Sequence, residues 1–172
     1  ISLVVEKNEE KVVHLAIDLL KRDVKSVLDA ELAIGGKESH VIIGTIGQSS
    51  LLKNYAKEVA TIEGRHEAFL LKVLEGGKLL IAGSDKRGTA YGVLELSRLL
   101  GVSPWEWWAD ATPEKREVFR LPVGYTLTQE PTVPYRGIFL NDEDWGLLPW
   151  SNGRPHPNLP QGEGVNTSTT NN

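Results

Sequence analysis

The segment EAFLLKVLEGGKLLIAG, from Glu67 to Gly83, constrains this chain more than any other stretch. Its two apolar runs are joined by Gly76-Gly77, which can supply the positive φ angles of a tight primed turn, so the segment reads as a β-hairpin. A helix follows at once, from about Lys86 to Leu100. Tyr91, Leu94 and the Leu96/Leu99/Leu100 group are expected to face inward, with Gly101 as the C-terminal stop and Pro104 just beyond it. Upstream, ISLVV is a short strand, and Asn8 is expected to cap a helix whose first turn carries Glu9 and Glu10 next to the positive helix end. Val12, Val13, Ala16, Ile17 and Leu20 form one apolar stripe along that helix. A further strand is expected near Val27 to Leu32, HVIIGTIG reads as a buried strand ending in glycines, and a short helix runs from about Ser49 to Lys57. Strands alternating with helices around one hairpin predict an α/β (α+β) fold: a mixed β-sheet with helices packed on it.

The chain has 172 residues, 40% of them hydrophobic, with a formal net charge of -4. A chain of this size buries roughly 70% of its unfolded surface, enough for one medium core. Lys/Arg and Asp/Glu are evenly mixed, so no basic field exists to attract nucleic acid or an anionic membrane, and neither is expected as a partner. No run reaches the roughly 20 apolar residues of a membrane helix. With no cysteine, thiolate metal sites, disulfides and thiol catalysis are excluded, while the redox compartment stays open. The chain starts at Ile1 and holds no methionine, so it reads as a processed or cut piece from which a signal peptide has had the chance to be removed.

Two glycine loops invite a nucleotide reading. GTIGQSS, Gly44 to Ser50, lacks the three-glycine spacing of a dinucleotide fingerprint. In GSDKRGTA, Gly83 and Gly88 have the spacing of a phosphate loop, but Thr89 and Ala90 stand where Lys and Ser/Thr are required. Phosphate charge would go unneutralised, so an NTPase is rejected, and Ser84 or Asp85 is expected to cap the helix instead. In SPWEWWAD, Trp105 and Trp107 would share one face of an extended chain and Trp108 the other, so at least one ring is expected to pack inside and at most one or two to be free, the condition for a sugar platform. From Thr112 to Pro134 the chain turns to prolines and charges around EVFRLPVGYTL, as in an exit segment leading away from the sheet. YRGIFLN then reads as a fresh strand running into Asn141, Asp142, Glu143, Asp144 and Trp145. D-x-D is present there without the third oxygen ligand and glycine of a calcium loop, so no metal and no other cofactor is expected.

The blocks IAGSDKRGTAYGVLELSRLLGVSPWEWWAD (Ile81 to Asp110) and PYRGIFLNDEDWGL resemble glycoside hydrolase family 115, the xylan α-1,2-(4-O-methyl)glucuronidases. The likeness is specific in Ile81 to Asp110 and Pro134 to Trp150, and looser over Ser2 to Leu80. It implies a small mixed α/β domain, similar to those preceding the barrels of other glucuronidases and hexosaminidases, and then a catalytic (β/α)₈ barrel of which GIFLNDED is the first strand, its acid end at the sugar pocket. On that basis the chain divides into a domain over 1–111, a connecting segment over 112–134, a barrel remnant over 135–150 and a tail over 151–172. The implied partner is a xylan-type polysaccharide or its uronic acid, and the implied location is the periplasm or the cell exterior.

Carried over by position, Asn141 and Asp142 are the candidates for hydrogen-bonding the uronic acid or assisting catalysis. Glu143 stands beside Asp142 as the second catalytic candidate, and Asp144 and Trp145 as further substrate contacts. On an extended strand Asp142 and Asp144 share a face about 7 Å apart, near the roughly 6.5 to 9.5 Å of an inverting pair. They project in parallel, however, whereas acid and base must reach the sugar from opposite sides, so the second member is expected from another barrel strand. A barrel takes roughly 250 residues. After Trp150 the sequence continues as SNGRPHPNLPQGEGVNTSTTNN, whose composition predicts a disordered tail foreign to the family. Its NTS at Asn166 is a glycosylation sequon by pattern only. The expectation is therefore an N-terminal domain without catalysis of its own. The alternatives are a carbohydrate-binding or interaction module using the tryptophan cluster, and an assembly in which a separate polypeptide supplies the barrel.

Overall fold

The computed structural model describes residues 1–35, 39–106 and 111–137. Trp107 and Trp108, most of the strand expected in YRGIFLN, the acid cluster and the tail over 151–172 lie outside the described residues. The chain divides into two compact units, Ile1–Pro134 and Tyr135–Asn172, and the description below is of the first.

Its elements, in chain order, are β1 (Ser2–Val4), α1 (Lys11–Leu28), β2 (Ala33–Ile34), β3 (Val41–Thr45), a 3₁₀ helix (Ser50–Tyr55) running into α2 (Ala56–Val59), β4 (Phe69–Val73), β5 (Leu79–Gly83), α3 (Lys86–Leu100) and β6 (Thr126–Gln129). The strands form one mixed sheet in the order β2-β1-β3-β5-β4-β6. Neighbouring pairs from β2 through to β5 are parallel, and β4 runs against both β5 and β6.

Alternation along the strands sorts the core into two layers. Leu3, Val41, Ile43, Phe69, Leu71, Leu79 and Ile81 pack with Val13, Ile17, Leu20, Val93, Leu96 and Leu100 of α1 and α3. Ile42, Leu70, Leu80 and Ala82 point the other way, to Leu52, Val59 and Ile62. With both faces covered, β3 and β5 are buried along their whole length. That explains why HVIIGTIG and KLLIAG read as continuous apolar runs. None of the described helices is long and apolar enough to cross a membrane.

The hairpin is present, but its loop is longer than a two-residue primed turn. Leu74 N–H donates to Lys78 C=O at 2.8 Å and Gly77 N–H to Leu74 C=O at 2.8 Å. The loop is thus the three residues Glu75–Gly77, with only Gly77 (φ 78°) in the left-handed region, which suits the right-handed twist of the strands.

Four expectations are corrected. Helix α1 begins at Lys11 after Glu10, with no side-chain cap, because the preceding loop turns its polar groups toward the loop after β3. The expected strand at Val27 to Leu32 is the last turn of α1 and its exit. Val24 and Val27 continue the buried stripe, the helix stops where Asp29 turns left-handed (φ 51°), and strand pairing is confined to Ala33–Ile34. Val12 lies on the exposed side of α1, and Tyr91 and Leu94 face solvent at 36% and 39% exposure, while Ala90, Val93, Leu96 and Leu100 face the core. Finally, Thr112–Pro134 does not leave the sheet. Arg116 N–H donates to Val27 C=O, Phe119, Leu121 and Tyr125 pack on the α1/α3 core, and Thr126–Gln129 closes the sheet edge beside β4.

Helix α3 lies unusually close to the strands. A Cβ on Gly83 would stand 2.0 Å from Thr89 N, one on Gly88 2.2 Å from Ala68 O, and one on Gly92 2.9 Å from an Ile81 methyl. Since backbone atoms cannot swing aside, Gly88→Ala is expected to lower stability by about 3 kcal/mol or more, at the upper end of overpacking costs. Gly76→Ala, where a Cβ meets nothing within 4 Å, should leave it within about 1 kcal/mol. Urea denaturation of both variants checks this, and equal midpoints would show that α3 is not seated by backbone contact.

Candidate functional site

The expected site residues Asn141, Asp142, Glu143, Asp144 and Trp145 all lie outside the described residues. Among the described residues, no three His, Asp or Glu side chains converge where a metal ion could sit. The polar constellations of the first unit fall at the C-terminal ends of the parallel strands, at the start of α3 and along the outside of α1 and α3.

Ligands of open α/β sheets bind outside the carboxyl ends of the strands, where the strand order reverses. That reversal lies between β1 and β3, because β2 lies on the other side of β1. Here the crevice is filled by acids from the loop leaving β1. Glu9, only 6% exposed, accepts from Thr45 N–H at 2.8 Å and from the Thr45 hydroxyl at 2.7 Å. The Thr45 hydroxyl, committed as donor to Glu9, accepts in turn from Thr89 of α3 at 2.7 Å. Glu6 accepts from Ser50 N–H at 2.8 Å and from the Ser50 hydroxyl, so it occupies the first amide of the 3₁₀ helix. Those Ser50 bonds, the hydroxyl's foremost, hold the Glu6 carboxyl below the ordinary glutamate value of 4.5. The Gln48 amide closes the loop pair by donating to Asn8 C=O at 2.6 Å.

At the start of α3, Asp85 is the cap. Its Oδ1 accepts from Arg87 N–H and Gly88 N–H, each at 2.9 Å, and its Oδ2 accepts from Glu67 N–H at 2.8 Å. Ser84 instead ties to β4, accepting from Ala68 N–H at 2.9 Å. The backbone amides that would cradle a phosphate in a loop of this spacing therefore hold the protein's own carboxylate.

The third constellation is a cleft of about 450 Å³ on the outer side of α1 and α3. Arg22 of α1 reaches Asp23 at 2.9 Å and, across the cleft end, Glu106 at 3.0 Å, while Arg98 of α3 grips Glu95 with two bonds at 2.8 and 2.6 Å. None of these residues is among the sequence-derived candidates. The Glu95–Arg98 pair has helical spacing and is legible as an i,i+3 pair, but Arg22 and Glu106 are 84 positions apart and meet only in the fold.

Together, the covered mixed sheet and the acid-filled crevice define a three-layer α/β domain distinct from the nucleotide-binding doubly wound folds. No family model and no curated protein sequence matches the chain. A solved structure does: a family GH115 4-O-methyl-α-glucuronidase, BtGH115A, with specificity for decorated arabinogalactans. It is 51% identical with a TM-score of 0.84, over 94% of this chain and 21% of that one. The chain belongs to glycoside hydrolase family 115, and it spans about a fifth of that relative's length. Looser likenesses carry no argument. One is to a GH138 enzyme that targets pectin rhamnogalacturonan II, at 17% identity and TM-score 0.45 over 76% of this chain and 12% of that one. The other is to CpGH84D, at 11% and 0.44 over 60% and 18%.

Removing the buried acid tests the closed crevice. Glu9→Ala strands the Thr45 amide and is expected to cost about 2 to 3 kcal/mol in chemical denaturation, and an unchanged midpoint would sink the assignment. Because the Glu6 carboxyl is lowered in the fold, its contribution is present above pH 4.5 and is lost as pH falls through the depressed native value. Glu6→Gln should flatten the stability–pH curve in that acid window and leave its shape near neutrality unchanged.

Proposed function

We propose that this chain is the leading, non-catalytic domain of an α-glucuronidase that hydrolyses α-1,2-linked (4-O-methyl)glucuronic acid side chains from glucuronoxylan. The observation that carries the reading is the 51% identity to a family 115 enzyme over 94% of the chain. That relative's specificity for decorated arabinogalactans makes arabinogalactan the second polymer to assay, since the uronic acid removed is the shared chemistry. The geometry of the first unit agrees with a supporting role. Its buried acids Glu9, Asp23, Glu67 and Glu95 are tied to backbone amides, hydroxyls or arginines of the domain itself, whereas glycoside hydrolysis needs two carboxyl groups free to flank a sugar.

Catalysis in this reading belongs to Asp142 with Glu143, and Asn141, Asp144 and Trp145 hold the uronic acid, completed by acids from other barrel strands. A polymeric substrate also favours the periplasm or the cell exterior as the protein's location, where such polymers are met.

Two assays test it. The chain alone should release no 4-O-methylglucuronic acid from glucuronoxylan, and turnover abolished by Asp142→Ala would overturn the non-catalytic assignment. The chain through Trp150, joined to the remaining polypeptide of BtGH115A, should release the acid. Asp142→Asn in that chimera should then lower kcat/KM by about 10² or more, the scale of general acid–base catalysis. A fully active Asp142→Asn chimera would remove Asp142 from the chemistry.

A further inference from the structure

The cleft outside α1 and α3 has a composition that selects a ligand class. Leu19, Tyr91, Leu94, Val102 and Pro104 supply apolar walls. Between them lie three carboxylates, of Asp23, Glu95 and Glu106, and two guanidinium groups, of Arg22 and Arg98, arranged in alternating pairs. Ser97 also lines the cleft, with its hydroxyl buried. Trp105, 62% exposed, stands in sequence between Pro104 and Glu106 of the lining.

Charge decides between classes of ligand. An anion would meet three carboxylates against two arginines, and a cation would meet two arginines already engaged with them. A neutral polyol suffers from neither, because each sugar hydroxyl both donates and accepts and can use a carboxylate and a guanidinium side by side. The C–H faces of a pyranose ring suit aromatic and aliphatic walls. A volume of about 450 Å³ falls within the range of small-molecule pockets, which combine mostly apolar walls with a few convergent polar groups.

We propose that the α1/α3 cleft is a binding site for a neutral pyranoside, one or two backbone sugar units of a polysaccharide, built from residues other than the candidates Asn141–Trp145. The sugar's apolar face lies on Tyr91 and Leu94, its hydroxyls reach the Arg22–Glu106 and Glu95–Arg98 pairs, and Trp105 covers it from the rim. The choice of oligosaccharide rests on the glucuronidase reading, whereas the site itself rests on the lining.

Calorimetric titration of the chain with xylotetraose and with a β-linked galactotetraose tests the site, with glucuronic acid as the anionic comparison. Saturable binding of at least one neutral oligosaccharide is expected, with glucuronic acid weaker. Tyr91→Ala and Trp105→Ala should each raise Kd by about fivefold or more, as truncation of an aromatic anchor does. Both side chains are on the surface, and an unchanged melting temperature will show that the fold is intact. No binding by the folded chain, or binding that ignores both aromatic substitutions, overturns the proposal and leaves the cleft as a protein-docking groove. Glucuronic acid release is read separately, so failure of the chimera to release it would sink the glucuronidase reading without touching this one.

Discussion

The direct contact of α3 with the sheet sets the rest of the first unit. At Gly83 and Gly88 a single added carbon would collide with backbone atoms at 2.0 and 2.2 Å, so no side chain separates helix from strand. At ordinary helix–sheet spacing the Thr89 hydroxyl would fall short of Thr45. With the helix seated, it bonds at 2.7 Å and passes its proton donation on to Glu9. Three stretches far apart in sequence, the β1–α1 loop, the end of β3 and the first turn of α3, are thereby joined in one buried chain of hydrogen bonds, whose central Thr45 hydroxyl keeps both of its partners only while Glu9 and Thr89 hold their places.

This chain of bonds also explains how a fold with a ligand-binding topology lacks the usual ligand position. Parallel strands β1 and β3 diverge in connection at the place where doubly wound sheets open. Amides exposed at such ends attract negative charge. Glu9, Glu6 and Asp85 provide that charge from within the protein, at Thr45, Ser50 and Gly88 respectively. The crevice is consequently part of the packing. Function in a chain of this family then has to come from elsewhere, since a fold does not dictate an activity and a site does.

What the sequence made legible is what local chemistry decides. The hairpin, the span of α3, a cap at Ser84 or Asp85 and its Gly101 stop rest on patterns of a few residues, and the structure has all four, with Asp85 as the cap. What it concealed depends on distant partners. Asn8 has the chemistry of a helix cap, yet the loop it belongs to answers to Gln48 and Thr45. Thr112–Pro134 has the composition of a linker, but the free edge of β4 and the open end of the α1/α3 core recruit it. Asn141, Asp142, Glu143 and Asp144 are site candidates only through resemblance, because strand geometry by itself sets Asp142 and Asp144 in parallel. The Arg22–Glu106 pair of the cleft carried no comparable signal, since its members stand 84 positions apart.

The misplaced aromatic on α3 follows from the same glycines. Successive residues on an α-helix turn by about 100°. Counting from Gly88, Gly92 lies about 40° round the axis, Leu96 about 80° and Leu100 about 120°, so one stripe faces the sheet. Tyr91, Leu94 and Arg98 then fall at about 300°, about 240° and about 280°, on the opposite side. A hydropathy pattern weighs a tyrosine and a leucine as core residues and a glycine as neutral, and so rotates the helix toward its larger side chains. Steric contact ranks them the other way, because only the glycine stripe can approach the backbone of β4 and β5. Seating α3 by its glycines thus leaves Tyr91 and Leu94 outward beside α1, together with the Arg98 whose carboxylate partner, Glu95, lines the same cleft. The cleft is the geometric consequence of the close approach, and any substitution that lifts α3 off the sheet should alter both together.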